Sequence, residues 1–180
     1  GEGGFGRVHA GTMFGTPVVV KLPRDAMQVS RLQSLGNELR LLRHLRHPNI
    51  VLFYGACLVE GVGQKHFGIV LERVDGLELE KCVPFLSRRH ALQISLGLCR
   101  AMRYLHSQDP PIAHGDLKPG NVLVDLLSEK AVTKVIDFGL SRRFACGKLG
   151  GTKHWISPEQ VLDPQMQPSQ SVDVFACGSI

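Results

Sequence analysis

One short stretch of the sequence concentrates three side chains that could act together on a hydroxyl group and a phosphate. It runs from residue 114 to residue 121 and reads HGDLKPGN. The aspartate can take the proton of an attacking hydroxyl, the lysine can balance developing negative charge, and the asparagine can offer an oxygen to magnesium. This spacing indicates phosphoryl-transfer chemistry centred on Asp116, Lys118 and Asn121.

A second acidic group follows in the tripeptide DFG, which places Asp137 beside a flexible glycine, Gly139. Oxygen ligands of this kind suit Mg²⁺. Taken alone, this tripeptide or the HGDLKPGN stretch could be no more than a polar turn. Together they predict that Asn121 and Asp137 bind magnesium.

The chain opens with GEGGFGRV, in which Gly1, Gly3 and Gly6 form a glycine pattern. Glycine lets backbone amides approach phosphate oxygens because no side chain intervenes. A plain glycine-rich turn explains this pattern equally well. A dinucleotide-binding fold needs a helix directly after the glycines. Strands are predicted instead over residues 8–10 and 16–21, so the dinucleotide alternative fails.

Two further charged residues matter only as a pair. Lys21 ends an apolar run of valines, and Glu38 lies on the polar flank of a predicted helix. Separately, they are an ordinary strand-end lysine and an ordinary solvent-facing glutamate. A lysine that binds phosphate oxygens, however, needs a carboxylate to fix its position. The sequence alone does not show whether the two side chains meet.

The elements that must position these groups begin with strands. Valine-rich residues 16–21 and the apolar residues 67–71 each predict a strand. Residues 122–124 and 132–136 predict a small hairpin between the two acidic motifs. The catalytic stretch is therefore expected directly before this hairpin in the chain, and the DFG tripeptide directly after it.

Two helices are predicted from leucines that recur at spacings of three and four. The first begins at Ser30 as its N-cap and ends before His47 and Pro48. The second carries its apolar stripe from Leu92 to Leu105 and stops near Pro110. Residues 1–74 are thus mostly strand-like with one helix, and the remainder is mainly helical.

The order of these motifs resembles that of a protein kinase catalytic domain. Glycine loop, strand lysine, helix glutamate, catalytic loop, metal aspartate and then Ser157-Pro158-Glu159 follow one another over the whole chain. The resemblance implies an α+β fold with two lobes. Residues 1–74 would form a β-rich N-lobe with its hinge, and residues 75–180 a mainly helical C-lobe.

The resemblance also implies a role for each motif. Lys21 would hold the α- and β-phosphates of ATP and pair with Glu38. Asp116 would act as the catalytic base, and Lys118 would steady the γ-phosphate. Magnesium would be held by Asn121 and Asp137.

The same resemblance implies an adenine site. The glycines Gly1, Gly3 and Gly6 would cover the phosphates, and Leu71 would stand at the gatekeeper position. The remaining nucleotide contacts would come from apolar side chains above and below the base and from the hinge, namely Val8, Val19, Leu123, Glu72 and Val74. ATP and protein substrates are the expected partners.

Two features favour serine and threonine as the phosphate acceptors. Lys118 in the catalytic loop and Thr152 before the SPE tripeptide resemble the residues that serine/threonine kinases have at these positions. Residues 46–57 resemble the corresponding stretch of the tyrosine-kinase-like group, which includes Raf-like and plant or algal kinases. A pseudokinase that binds nucleotide as a scaffold without turnover is the alternative. The presence of Lys21, Asp116 and Asp137 favours an active enzyme.

Gly115 departs from the family pattern, because most kinases carry arginine directly before the catalytic aspartate. In those kinases the arginine binds a phosphate group on the activation loop through charge-assisted hydrogen bonds. We therefore expect activity to depend little on phosphorylation of residues 140–150, or Ser141 and Thr152 to act in another way.

The composition agrees with an intracellular globular domain. The 180 residues are 43% hydrophobic and 21% charged, and the five cysteines show no disulfide pattern, which predicts free thiols in the cytoplasm or nucleus. The net charge of +5 is scattered, so no nucleic-acid partner is expected. No membrane segment is predicted. The chain starts with glycine and its last residues read as an unfinished helix, so we expect part of a longer protein, inactive when isolated.

Overall fold

The computed structural model describes residues 2–3, 6–23, 29–61, 64–127, 130–143, 151–163, 165–166 and 169–180. The chain divides into two compact units. The first comprises residues 1–46 and 51–73, and the second comprises residues 47–50 and 74–180. The first unit is built on a sheet and the second mainly on helices, so the expected α+β fold class is confirmed.

The first unit contains a five-stranded antiparallel sheet in its described residues, with the strand order β1-β2-β3-β5-β4. One helix, α1, follows β3 in the chain. The elements are β1 (Glu2–Gly3), β2 (Gly6–Met13), β3 (Thr16–Leu22), α1 (Val29–Leu42), β4 (Phe53–Gly61) and β5 (Gln64–Glu72). The strands predicted at 8–10, 16–21 and 67–71 are present, and all three are longer than predicted.

Strand β4 is the longest element of this unit that the sequence pattern did not reveal. Its residues alternate between half-buried and exposed positions, as expected for a strand at a sheet edge. The exposed positions, however, include the apolar side chains of Tyr54 and Leu58, which are 39% and 65% exposed. Because these residues are not polar, the period-two signal that identifies a strand is lost.

Helix α1 differs from its prediction in two respects. The helix already includes Val29, so Ser30 is helical and is not the N-cap. Glu38 does not face solvent on a polar flank, because it is 1% exposed. The leucine stripe is confirmed where the side chains are described, since Leu35 and Leu42 are 4% and 0% exposed.

The second unit carries two small antiparallel sheets, ordered β6-β8-β9 and β10-β7, among its helices. The predicted hairpin is confirmed as β8 and β9, which pair from Val122 opposite Val135 to Asp125 opposite Val132. The elements are β6 (Leu77–Glu78), α2 (Leu79–Cys82), α3 (Arg88–His106), β7 (Ile112–Ala113), β8 (Val122–Asp125), β9 (Val132–Val135), β10 (Arg142–Arg143), α4 (Pro158–Leu162) and α5 (Gln170–Gly178).

Helix α3 is the central helix of this unit. It begins at Arg88 because Oγ of Ser87 accepts a hydrogen bond from the backbone N–H of His90 across 3.1 Å, a standard N-cap interaction. The helix approaches β9 closely at Gly97, where a Cβ atom would stand 2.9 Å from Cβ of Thr133. No helix in the described part of the chain is both long enough and apolar enough to cross a membrane.

Candidate active site

The carboxylate of Asp116 is held from three directions in the second unit. The hydroxyl of Thr152 donates to Oδ1 across 2.7 Å. The amide nitrogen of Asn121 donates to Oδ2 across 3.1 Å, and Nζ of Lys118 lies 3.0 Å from the same oxygen. Asp116 is 4% exposed. This residue is therefore a buried carboxylate with a fixed orientation.

The loop that carries Asp116 is closed by Asn121. Nδ2 of Asn121 donates to the carbonyl oxygen of Asp116 across 2.8 Å, and the backbone N–H of Asn121 donates to the carbonyl of Lys118 across 2.9 Å. Pro119 opens the short 3₁₀ turn between them, which suits the fixed backbone angle of proline. The short spacing from 116 to 121 thus brings all three predicted catalytic-loop residues together.

Asp173, on the first turn of α5, holds the start of this loop. Its Oδ2 accepts a hydrogen bond from the backbone N–H of His114 across 2.8 Å, and its Oδ1 accepts one from that of Gly115 across 3.0 Å. Nε2 of His106 lies 2.9 Å from Oδ2. Gly115 has a φ of 77°, a conformation that glycine adopts without the steric cost that a side chain would bring. Helix α5 therefore anchors the turn before the catalytic carboxylate.

The ring of His114 is buried and links the loop to the DFG tripeptide. Nδ1 accepts a hydrogen bond from the backbone N–H of Asp116 across 3.3 Å. The ring proton is thereby assigned to Nε2, which donates to the carbonyl of Ile136 across 3.2 Å. The ring of Phe138 packs edge-on against this histidine, with a centroid distance of 5.0 Å. These contacts join the segments that carry Asp116 and Asp137.

The two predicted magnesium ligands lie at the same end of the β8–β9 hairpin. Asn121 directly precedes β8, and Asp137 closely follows β9. The backbone N–H of Ile136 donates to the carbonyl of Asn121 across 2.9 Å, so the two segments are hydrogen-bonded neighbours. Asp137 has a φ of 65°, which is uncommon outside glycine.

These residues fit a magnesium ion whose other ligands come from a substrate. The amide nitrogen of Asn121 is used by Asp116, so its amide oxygen is the atom available for a cation. Mg²⁺ in phosphoryl-transfer sites typically takes one or two protein carboxylates and completes its shell with phosphate and water. Within the described residues no three His, Cys, Asp or Glu side chains form a metal cluster.

The segment after the DFG tripeptide is also tied to the catalytic loop. The buried hydroxyl of Ser141 donates to the carbonyl of His114 across 2.8 Å, and β10 pairs with β7 directly before the loop. Residues 144–150, which include Cys146 and most of the predicted activation segment, lie outside the described residues. Ser141 and Thr152 thus both use their hydroxyl groups in hydrogen bonds to the catalytic loop.

In the first unit, Lys21 and Glu38 meet. Nζ of Lys21 lies 2.7 Å from Oε2 of Glu38, and their side chains are 11% and 1% exposed. The two residues are 17 positions apart in the sequence, Lys21 on β3 and Glu38 on α1. A cation held this firmly by a carboxylate has little freedom to reorient when it binds an anion. The pairing left open by the sequence is therefore present.

Four of the predicted nucleotide-binding residues of the first unit share one face of the sheet. Val8 is paired with Lys21 across β2 and β3, and Val19 is paired with Leu71 across β3 and β5. Directly opposed residues of antiparallel strands project to the same side, and Val19 and Lys21 are two residues apart. These four side chains therefore lie on a common face.

The other predicted nucleotide contacts are distributed differently. Gly3 and Gly6 pair with each other across β1 and β2, whereas Gly1 lies outside the described residues. The backbone N–H of Glu72 donates to the carbonyl of Leu52 across 2.9 Å, so it is already used within the first unit. The second unit contains the remaining two residues, Val74 and Leu123.

Sequence reasoning missed several residues that complete the loop. Thr152 was noted for acceptor specificity and, with Ser141, as the alternative to control by phosphorylation, but its contact with Asp116 was not predicted. The anchoring contacts of His106 and Ser141 were not predicted either. Their partners lie 36, 67 and 27 residues away in sequence. No local periodicity or spacing reports contacts of such range.

Comparison with known proteins gives consistent matches. The chain matches the family model of the protein kinase domain over residues 1–180. The serine/threonine-protein kinase CTR1 and the probable serine/threonine-protein kinase SIS8, both of Arabidopsis thaliana, are each 36% identical to it over 100% of its length. Interleukin-1 receptor-associated kinase 1 of Mus musculus is 39% identical over 82% of the chain. The chain spans 22%, 18% and 22% of these three proteins.

Proposed function

Because the chain belongs to the protein kinase domain family, we propose that it transfers the γ-phosphoryl group of ATP to serine or threonine hydroxyls of protein substrates. The observation that carries the proposal is the buried carboxylate of Asp116, held by Thr152, Asn121 and Lys118. The serine/threonine kinase names of the relatives support the same acceptor class.

Asp116 has the arrangement that a general base for a hydroxyl requires. A carboxylate offers about four acceptor positions on its two oxygens. Thr152 uses one position on Oδ1, and Asn121 and Lys118 both approach Oδ2. One acceptor position thus remains for the hydroxyl of a substrate. The fixed carboxylate can accept the hydroxyl proton as the oxygen attacks phosphorus.

Lys118 supplies the positive charge beside this base. Its Nζ donates to Oγ1 of Thr152 across 2.6 Å and lies 3.0 Å from Oδ2 of Asp116. A preorganised cation stabilises negative charge that develops on the transferring phosphoryl group without reorganisation of solvent. Its side chain is 23% exposed, so it retains access to a substrate.

Asn121 and Asp137 would hold magnesium through their oxygens. When bound, magnesium balances the charge on the phosphate oxygens. In the first unit, Lys21 would contact the phosphates of ATP while Glu38 keeps its ammonium group in place. These four residues thus form two pairs, one that holds magnesium and one that positions the phosphates of ATP.

The test is phosphate transfer from magnesium-ATP by the full-length protein to peptide libraries with serine, threonine or tyrosine as the acceptor. We expect transfer to serine and threonine, and we expect Asp116→Asn and Asp137→Asn each to abolish it. Asp163→Asn removes the same charge at an exposed position after α4 and should leave activity unchanged.

Two results would contradict the proposal. Transfer confined to tyrosine would refute the acceptor class. Nucleotide binding by the wild-type protein, with turnover no greater than that of Asp137→Asn, would instead establish the pseudokinase scaffold.

A further inference from the structure

Residues 47–50 form a short segment of the second unit that lies between α1 and β4 in the chain. The carbonyl oxygen of Asn49 accepts a hydrogen bond from the backbone N–H of Val135 across 2.9 Å. Its side-chain Nδ2 donates to the carbonyl oxygen of Thr133 across 2.9 Å. Asn49 thus binds strand β9 twice, once through its backbone and once through its side chain.

These two bonds occupy the outer edge of β9. Within the described residues β9 is the last strand of the sheet β6-β8-β9, and Ile50 pairs with Val135 as a parallel bridge. Alternate residues of a strand direct their N–H and C=O groups away from an antiparallel partner, so Thr133 and Val135 share the edge that faces away from β8. The 47–50 segment therefore extends this sheet, and the side chain of Asn49 supplies a donor that a strand backbone would otherwise provide.

Asn49 is itself held in place by its neighbours. Its backbone N–H donates to Nδ1 of His47 across 3.1 Å, and the ring of His47 stacks on that of Tyr104 in α3, with a centroid distance of 5.0 Å. Burial, followed by cations of α3 and β9, lowers the pKa of His47, so Nδ1 remains an acceptor at neutral pH. Helix α3 also comes close at Gly97, where a Cβ atom would stand 3.1 Å from Nδ2 of Asn49. The amide of Asn49 therefore has a fixed orientation.

Strand β9 leads directly to the predicted magnesium ligand Asp137. The strand ends at Val135, and the next backbone N–H, that of Ile136, donates to the carbonyl oxygen of Asn121 across 2.9 Å. Consecutive residues are thus bound by different partners, Val135 by Asn49 and Ile136 by Asn121. Asp137 follows with a φ of 65°, a conformation that persists where surrounding contacts fix it.

We propose that Asn49 is a positioning residue for magnesium: by holding β9 it sets the position of Asp137 relative to Asn121, the other predicted ligand. Since magnesium enters with ATP, this role rests on the proposed function. Residues that orient metal ligands without touching the metal change metal affinity by about 10- to 100-fold when they are replaced. Asn49 acts through the backbone of β9 and not on a ligand side chain, so we expect an effect at the lower limit, about tenfold.

Two variants remove the side-chain hydrogen bond in different ways. Asn49→Ala deletes the amide, whereas Asn49→Asp keeps its shape but presents a carboxylate oxygen, which cannot donate to the carbonyl of Thr133. Thr133→Val is the matched control, because Oγ1 of Thr133 is buried and has no hydrogen-bond partner within the described residues, and the backbone carbonyl remains. Ile94→Val is the control for stability, since Ile94 is 3% exposed and lies in α3, outside the 47–50 segment and β9.

The first measurement is the affinity of the full-length protein for the non-hydrolysable ATP analogue AMP-PNP, by calorimetry, in EDTA and then in saturating Mg²⁺. In both Asn49 variants the dissociation constant in Mg²⁺ should rise about tenfold relative to wild type, whereas the constant in EDTA should be unchanged. Both control variants should match wild type in both conditions. Equal constants in Mg²⁺ for wild type and the Asn49 variants would overturn the proposal.

Hydrogen exchange tests the intermediate step, the hold on β9. A peptide that covers residues 132–137 should exchange faster in Asn49→Ala than in wild type, and at the wild-type rate in Thr133→Val. Unchanged exchange of this peptide in Asn49→Ala would contradict the proposal. An equal loss of magnesium-dependent affinity in Ile94→Val would also contradict it, because reduced stability alone would then explain the effect.

Turnover distinguishes this role from the proposed function. In Asn49→Asp, kcat/KM for magnesium-ATP should fall about tenfold, in line with the loss of binding, and in Thr133→Val it should stay at the wild-type value. If the Asn49 variants lose magnesium-dependent affinity while the wild type shows no turnover, the positioning role stands and the kinase function is refuted. A wild-type protein whose affinity for AMP-PNP does not depend on Mg²⁺ would refute both.

Discussion

The hydroxyl of Thr152 donates to Oδ1 of Asp116 across 2.7 Å and accepts a hydrogen bond from Nζ of Lys118 across 2.6 Å. One hydroxyl therefore joins the base and the cation, although it lies more than thirty residues beyond them. Thr152 is half-buried, so these bonds are partly screened from water. Removing the hydroxyl should free both side chains while leaving their charges in place.

We expect Thr152→Ala to lower kcat by about 10- to 100-fold, because catalytic groups that lose their orientation lose rate to this extent. Thr152→Ser keeps the hydroxyl and should retain most of the activity. Steady-state kinetics in the full-length protein measures both, and ATP affinity should change little. Equal kcat values for the alanine and serine variants would show that the hydroxyl does not position Asp116.

The buried pair of Lys21 and Glu38 predicts a different mutational pattern. Lys21→Met removes the cation facing a carboxylate that is 1% exposed, and breaking a buried pair on one side costs about 3–5 kcal/mol. The double variant, Lys21→Met together with Glu38→Leu, replaces both partners. It should recover part of the free energy of unfolding that Lys21→Met loses, but it should not recover phosphate transfer. Urea unfolding and kinase assays separate these effects. A double variant less stable than Lys21→Met would contradict this interpretation of the pair.

Gly115 should resist substitution for a conformational reason. Its φ of 77° lies in the left-handed region, where a side chain costs about 1–2 kcal/mol, so Gly115→Ala should lower the free energy of unfolding by about that amount. Gly36 provides the control, since it lies inside α1 and a Cβ atom added there would meet open space. Gly36→Ala should stabilise by about 0.5–1 kcal/mol. In urea unfolding, the free energy of unfolding should therefore fall in Gly115→Ala and rise in Gly36→Ala.

The pKa of Cys177 predicts a loss of stability at high pH. Burial raises this pKa from 9.0 to about 11 in the folded protein. The folded state thus holds the thiol proton more tightly, and this stabilisation is complete below pH 9 and lost as the pH rises through about 11. Between these values the unfolding midpoint should fall more steeply in the wild type than in Cys177→Ser. Parallel pH profiles would show that the thiol does not contribute.

Control by phosphorylation is expected to be weak. Gly115 offers no guanidinium group for an activation-segment phosphate, and the hydroxyls of Ser141 and Thr152 already bond to the catalytic loop. Treatment of the full-length protein with a broad-specificity phosphatase should therefore leave kcat unchanged, with mass spectrometry as the control for complete removal. A large loss of kcat that rephosphorylation reverses would refute this expectation. Alanine substitution is a poorer test, because it also removes the two structural hydrogen bonds.

Much of the fold could be predicted because its signals are local. The leucine stripe of α1 and the valine-rich β3 and β8 depend on spacings within one element. Helix α3 was also predicted, but Leu92 and Leu96 of its predicted apolar stripe are 66% and 50% exposed. Strand β4 was not predicted, because the apolar residues Tyr54 and Leu58 occupy exposed positions in it. The start of α1 was also predicted at the wrong residue, since Ser30 has the residue type of an N-cap but lies inside the helix.

The candidate site likewise contains residues that local spacing predicts and residues that it does not predict. Asp116, Lys118 and Asn121 lie within six residues, so their spacing alone indicated a common role. The residue type of Glu38 does not reveal its burial, because a glutamate is assigned to solvent unless its partner is known. That partner, Lys21, is supplied by a different strand.

The sequence by itself determined which chemical groups are present, their order and the local elements that carry them. The tertiary structure alone decided that Lys21 meets Glu38, that Thr152 holds Asp116, and that Asp173 holds the turn before Asp116. The reason is that periodicity and spacing describe neighbours along one element. Contacts between residues far apart in the chain depend on how whole strands and helices pack.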